Sequence, residues 1–432
     1  MRGNETVVSK DLSDGPLTGL KVLDMTVAVQ GPHVGAFLSD MGAEVIKVEP
    51  PGGELNRYAR GPGFDYGMEV MGSQQVAMNR GKKSIALDAH TDLGKRVLNE
   101  LIKKSDVFVT NYRAEALDRM SLSYDHMRRI NERLIYGRVS GFGTKGKDAE
   151  KAMLDGAAQA RGGLAAVSGP VDGPPMPPGA AIADHSGAMQ LSLGIMTALF
   201  AREQTGRGQE VNTSALGTMM WLQSWELTHT AMTGVSLTRD GQYNPSIASP
   251  YGVYQTSDGG SFLLAVAMSN ESWDEFLVYG GKPELALDTR WNTAAKRIGI
   301  LGDGDGVTEV RAELREAFAS HTTAEWEVFL GDQPEIIYER VQSYQEVLVD
   351  PQADANNYLA EVTVPNYGTT QVVSNVVQLS ETPGLGARRP PPYLGEHTSE
   401  IMMDLGFSAA EVDQALAPIE AAAAEIISLV IP

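Results

Sequence analysis

Apolar and polar residues are arranged as two short β-rich runs near the start of the chain, residues 21–26 (KVLDMT) and 44–49 (EVIKVE), and residues 33–41 between them have helical spacing. Strand, helix, strand is a βαβ unit, because two parallel strands need a long crossover between them. The alternation continues. Residues 84–87 read as a strand, 92–104 as a helix, 107–111 as a strand, 114–134 as mostly helical and 135–140 as a strand. This predicts an open, mainly parallel sheet with helices on both faces. From about residue 251 the texture changes: residues 253–256 and 262–267 flank Asp258-Gly259-Gly260, which predicts a hairpin, and helical spacing follows to about residue 330. The expected organisation is a tail over 1–15, the N-terminal part of a large domain over 16–225, a linker over 226–247, a small domain over 248–333, and a linker with a C-terminal part over 334–432. Residues 383–392 (PGLGARRPPP) read as an extended connection.

The most apolar stretch, residues 187–201, is shorter than the roughly 20 residues of a membrane span and is flanked by Asp184 and Arg202, so it reads as a buried helix. The Ala-rich residues 415–430 read as a terminal helix. With 432 residues, 42% of them hydrophobic, the chain can build a large core. Its 35 basic and 55 acidic side chains give a net charge of -20, which argues against nucleic acid or an anionic membrane as a general partner. An anionic ligand therefore needs a local basic pocket. The chain has no Cys. That removes disulfides, thiolate nucleophiles and Cys-based metal sites, and it fits a reducing compartment; a cytoplasmic location is expected. The first 15 residues have neither the basic start nor the apolar core of a signal peptide.

Several motifs fall short of the chemistry they suggest. Residues 141–147 (GFGTKGK) copy the spacing of a phosphate loop, but Asp148 stands where Ser or Thr would hold magnesium, so a solvated loop is expected. Residues 302–306 (GDGDG) begin like a calcium loop and then lose the ligand spacing; a turn is expected. The first βα turn, residues 26–35 (TVAVQGPHVG), lacks the GxGxxG fingerprint of dinucleotide enzymes. Residues 79–83 (NRGKK), with Arg113 and Arg119, form either a phosphate site or a solvated basic edge. Asp184 precedes the long apolar helix. There it can cap the first N–H groups, or it can present an oriented anionic nucleophile to a cleft. Composition does not choose between the two.

The choice is weighted by resemblance. Residues 17–26 (LTGLKVLDMT), 42–53 (GAEVIKVEPPGG), 79–88 (NRGKKSIALD), 116–120 (ALDRM), 183–199 (ADHSGAMQLSLGIMTAL), 205–211 (TGRGQEV) and 394–398 (LGEHT) occur in an order and spacing that resemble the class III CoA-transferase family. This group contains formyl-CoA, carnitine and arylsuccinate CoA-transferases, and the likeness covers about residues 17–405. It implies a Rossmann-like large domain built from both ends of the chain, a smaller inserted α+β domain and an interlocked dimer. Acyl-CoA and a free carboxylic acid are the implied substrates, with no metal and no permanently bound cofactor. Asp184 takes the place of the catalytic aspartate. By the same resemblance Val27, Ala28, Lys82, Asn111, Tyr112 and Arg119 contact CoA, and Gln30 and Tyr251 lie toward the acyl end. Two departures stand out: residues 242–250 (QYNPSIASP) replace a glycine run, and Ser140 replaces a lysine after the fifth strand.

Two other readings remain. A racemase of the same fold would need a histidine before the aspartate at Leu154-Asp155, and leucine exchanges no proton. In unlike pairs of this family one chain has lost its aspartate; Asp184 is present here, which favours an active chain and leaves open both a homodimer and a hetero-oligomer with a related, unlike subunit. For the acids, succinyl-CoA as donor with a bulky or aryl-substituted acceptor is the expectation, from Met219, Met220, Trp221, Trp225, Met232, Tyr243 and Tyr251. Such a Met and Trp stripe at helical spacing also reads as core.

Overall fold

The computed structural model describes residues 15–67, 70–299, 306–387 and 389–430. The tail over 1–14 and most of the GDGDG segment lie outside the described residues. The described residues form two compact units, the first from those within 1–158, 181–219 and 348–432, the second from those within 159–180 and 220–347. The second unit is wider than the 248–333 expected, because helix-forming stretches on either side cluster with the hairpin rather than with the large sheet.

The first unit is organised by a six-stranded sheet in the order β3-β2-β1-β4-β5-β6, every pairing parallel. Its strands are β1 (Lys21–Met25), β2 (Glu44–Glu49), β3 (Lys83–Ala86), β4 (Val107–Thr110), β5 (Ile135–Ser140) and β6 (Glu210–Ser214). Between them run α1 (Gln30–Asp40), α2 (Ser73–Asn79), α3 (Asp92–Lys104), α4 (Ala114–Arg119), α5 (Tyr124–Ile130), α6 (Asp155–Arg161), α7 (Leu164–Val167) and α8 (Ile182–Thr205); α7 belongs to the second unit. The helical stretch expected over 114–134 is broken in two at Ser121, whose φ of 59° ends α4. Strand order reverses between β1 and β4, the point at which open α/β sheets leave a crevice beyond their carboxyl ends.

Both sheet faces are covered. Val34 and Leu38 of α1 and Leu191, Ile195 and Ala198 of α8 pack with Val22, Val45 and Val107 on one face. Val97, Leu98 and Leu101 of α3 pack with Leu23, Ile85 and Phe108 on the other, joined there by Ile401, Met402 and Val412 from near the C-terminus. The returning segment fastens to the sheet's open edge: His397 Nδ1 and Thr398 Oγ1 accept the Ser84 and Ala86 N–H groups, at 3.2 and 3.1 Å. Edge donors of β3 that would otherwise be open for pairing are satisfied in this way.

The expected buried helix is α8, and burial covers only part of it. Ala188, Leu191, Ile195 and Ala198 are in the core, whereas Met189, Leu193 and Phe200 stand at least 62% exposed along one stripe. An antiparallel hairpin, β10 (Leu359–Val364) with β11 (Gly368–Val373), completes the first unit. In the second unit the expected hairpin is present as β7 (Gly252–Gln255) and β8 (Ser261–Ala267), with β9 (Ile336–Arg340) added to β8. Its core is aromatic, with Tyr254, Phe262, Trp273, Phe276, Phe318 and Trp326 buried together. Among the described residues no helix is long and apolar enough to cross a membrane.

Candidate active site

Three segments meet at the carboxyl end of the sheet: the turn after β1, the turn after β4 and the start of α8. They border a small, partly open cleft of about 170 Å³, lined by Ala28, Gln30, Asn111, Tyr112, Arg138 and Asp184 among others. All of these belong to the first unit.

The β1 turn is held from outside itself. Asn111 Oδ1 accepts the Val27 N–H at 2.9 Å and Asn111 Nδ2 donates to the Val27 carbonyl at 2.8 Å. Glu54 Oε2 accepts the Ala28 N–H at 3.1 Å, and Asn56 Nδ2 donates to the Ala28 carbonyl. Ala28 sits at φ 62°, a left-handed conformation that costs a non-glycine residue of order 1 kcal/mol and that these bonds sustain. The N–H groups of Val27 and Ala28 are therefore spent within the protein. Gln30 and Gly31, in the first turn of α1, have N–H groups for which a helix supplies no partner.

Asp184 is the third residue of α8, one turn inside the position from which a side chain caps its own helix. The cap comes instead from Asp155, at the first position of α6. Its Oδ1 accepts the N–H groups of Ala183 at 2.7 Å and Asp184 at 3.1 Å. Among the described residues the carboxylate of Asp184 has no hydrogen-bond partner, and it borders the cleft. Burial, and then the neighbouring charge of Asp155, push its pKa up to about 6.

Beside this pair, the Nδ1 atoms of His33 in α1 and His185 in α8 approach to 3.0 Å with their rings edge to face. Burial and then the charge of His185 push the His33 pKa down to about 3, so the pair is neutral at physiological pH and one ring donates to the other. Two residues further along α8, a Cβ on Gly187 would fall 1.9 Å from Gln30 Nε2, so only glycine there leaves room for the Gln30 side chain. Gln30 is buried and its Nε2 has no partner.

The remaining expected positions divide. Asn111 and Tyr112 border the cleft, and Ala28 does so beside them. Lys82 does not reach it. The Lys82 ammonium is fully buried and donates to Asp24 Oδ2 at 2.6 Å, the Pro32 carbonyl at 2.8 Å and Asn79 Oδ1 at 2.9 Å, which uses all three of its protons. Arg119 ends α4 as an exposed side chain and is not part of the cleft lining. Tyr251 belongs to the second unit, where its N–H donates to Ser249 Oγ. The cations that do line the cleft are Arg113, Arg138 and Lys151. Arg138 lies within a strand and Lys151 in a mixed-charge loop, and neither position carries a motif. Asp155 was visible only as the neighbour of Leu154. A short backbone-capping aspartate one helix away has no signature in local spacing.

The chain matches the family described as CoA-transferase family III over residues 17–398, and it belongs to that family. It is a class III CoA-transferase, an enzyme that moves CoA between carboxylic acids. Relatives include the Succinyl-CoA:mesaconate CoA-transferase of Haloarcula marismortui, 32% identical over 91% of this chain and 97% of that protein. The human Succinyl-CoA:glutarate CoA-transferase is 30% identical over 90% of this chain and 86% of its own. Among solved structures, a CAIB/BAIF family protein from Brucella suis superimposes with a TM-score of 0.79 at 29% identity, covering 91% of this chain and 100% of that one.

Proposed function

We propose that Asp184 is the nucleophile of the transfer and that succinyl-CoA is the CoA donor. The observation that carries the first part is the division of labour at the start of α8: Asp155 caps the helix, leaving the Asp184 carboxylate unbonded at a cleft. A carboxylate relieved of capping, held in one orientation and partly desolvated is a better nucleophile than a hydrated one. Its oxygen attacks the thioester carbonyl, the C–S bond breaks, and CoA thiolate leaves behind a mixed anhydride. The thiolate then attacks the aspartyl carbonyl, the anhydride C–O bond breaks, and the donor acid departs as a carboxylate from an aspartyl-CoA thioester. The acceptor carboxylate runs the same steps in reverse and regenerates Asp184. The first N–H groups of α1, for which the helix itself supplies no acceptor, and the unpaired Gln30 Nε2 are the donors proposed for the oxyanions. Succinyl-CoA as donor is supported by relatives whose names specify it.

Asn111, Tyr112 and Ala28 line the path for CoA in this reading, with Arg113 and Lys151 as the exposed cations for its phosphates. A racemase would have to recruit His185 or another residue in place of the missing histidine, and against His185 stands its 3.0 Å contact with His33. A homodimer is part of the proposal, supported by the uncovered apolar stripe of α8.

Mixing the enzyme with succinyl-CoA, trapping with hydroxylamine and mapping the modified peptide by mass tests the mechanism. The expected adduct is on Asp184 and is absent in Asp184→Ala. A variant that still transfers CoA at near the wild-type rate would rule out the nucleophile.

A further inference from the structure

The cleft contains a buried cation that the steps above leave unused. Arg138 is 9% exposed and lines the same cleft as Asp184. On β5 its neighbour Gly137 faces Leu191 and Ile195 of α8, so the pleat sends Arg138 to the opposite face of the sheet at its carboxyl end. Its Nε has no partner. The nearest counter-charge is Glu150, whose Oε1 lies 3.8 Å from Arg138 Nη2, beyond hydrogen-bond reach, and whose Oε2 is itself buried and unpaired. A guanidinium stays charged at any working pH and carries five donors in a planar fork that matches a carboxylate. Buried with its Nε unpaired and its charge met only by a long ion pair to Glu150, it favours an anion at the cleft that hydrogen-bonds the guanidinium directly. Arg113 and Lys151 are exposed and make no comparable demand, because water already satisfies them.

We propose that the exchanged acids are dicarboxylic, and that Arg138 receives the distal carboxylate while the proximal one reacts at Asp184. The proposal rests on the transfer reading given above. In that chemistry the donor's acid and the acceptor acid occupy one subsite in turn. A single cation there therefore selects both, and an acid with an apolar tail leaves the Arg138 guanidinium without a hydrogen-bonded carboxylate in either half of the reaction. The cost of leaving a desolvated guanidinium donor unsatisfied against an apolar tail makes the discrimination larger than the gain from one hydrogen bond.

The test compares glutarate with valerate and with monomethyl glutarate as acceptors from succinyl-CoA, in the wild type, Arg138→Gln and Arg138→Lys, alongside calorimetric binding of free CoA. The wild type is expected to prefer glutarate by about 100-fold or more in kcat/KM, Arg138→Gln to cut the preference below about 5-fold, and Arg138→Lys to keep an intermediate value. CoA affinity is expected to stay within about 3-fold in both variants. A wild-type preference below about 5-fold overturns the proposal, and it needs no variant to fold. So does an Arg138→Gln enzyme that keeps its preference but binds CoA weakly, which would make Arg138 a phosphate contact. Hydroxylamine trapping separates the two levels: a missing Asp184 adduct with an intact Arg138-dependent preference would reject the nucleophile and leave the acid subsite standing.

Discussion

Asp155 and Asp184 stand at the same helix start, and it is Asp155 that caps it, through one oxygen shared by the N–H groups of Ala183 and Asp184. The two carboxylates therefore have different tasks. One is tied to backbone by two donors; the other has no hydrogen-bond partner among the described residues, and burial together with its neighbour's charge raises its pKa to about 6.

Transfer should accordingly rise with pH. The nucleophile is the ionised form, so kcat/KM for the acyl-CoA is expected to climb through an inflection near pH 6 and level off above it. Asp155→Asn keeps an oxygen to accept the two N–H groups but removes the repelling charge, so its inflection should move to lower pH while remaining above the ordinary aspartate value, because burial, the larger cause, persists. An unchanged inflection in Asp155→Asn would show that the two carboxylates do not interact.

The same shift predicts a stability cost. Between about pH 4 and 6 the folded chain binds a proton at Asp184 that the unfolded chain has already released, so the cost is absent at low pH and complete above about pH 6. Asp184→Asn should then unfold at higher denaturant than the wild type at pH 7.5, by about 1–3 kcal/mol, with the difference closing near pH 4. A variant destabilised at pH 7.5 would contradict the assignment of a strained, functional carboxylate.

The parallel sheet was legible in the sequence because its strands and helices alternate with clean periods; residues 92–104 and 135–140 are helix and strand within the expected limits. The hairpin β10–β11 and the strand β9 went unread: their burial alternates over only five or six residues, and the turn signal Pro365-Asn366-Tyr367-Gly368 between β10 and β11 stands beside strands too polar and too exposed to show a period. At the site, Asp184, Asn111 and Tyr112 come from the ends of periodic elements, where ligands gather. Asp155 and Arg138 act through long-range proximity across 29 and 46 positions to Asp184, a relation that no window along the chain contains. Lys82 is the reverse case. Its motif pointed to a ligand, and the fold turns its charge inward to Asp24.

That inward turn gives Lys82 a measurable structural role. Lys82→Met leaves the carboxylate of Asp24 buried without its ion pair, and the expected loss in denaturant unfolding is about 3–5 kcal/mol, much of it recovered when Asp24→Asn is added. CoA binding by whatever fraction is folded should stay within about 3-fold of wild type. Full stability with a CoA affinity lowered tenfold or more would mean that Lys82 is a phosphate contact instead.

The exposed stripe of α8 bears on assembly. Met189 and Leu193 are one helical turn apart and Phe200 continues the same side two turns on, all on the helix whose opposite face is core to the sheet. A helix that begins at the proposed nucleophile and displays three large apolar side chains to water is suited to burial against another chain. Leu193→Glu would place a charge in the middle of that stripe. Native mass spectrometry is expected to show a dimer for the wild type and a shift toward monomer for Leu193→Glu, with the far-ultraviolet circular dichroism unchanged because Leu193 is 62% exposed within its own chain. Activity should fall with the loss of dimer, since the start of α8 would lose the packing that steadies Asp184. A wild type that is monomeric at micromolar concentration, or a Leu193→Glu variant that stays dimeric, would remove α8 from the interface.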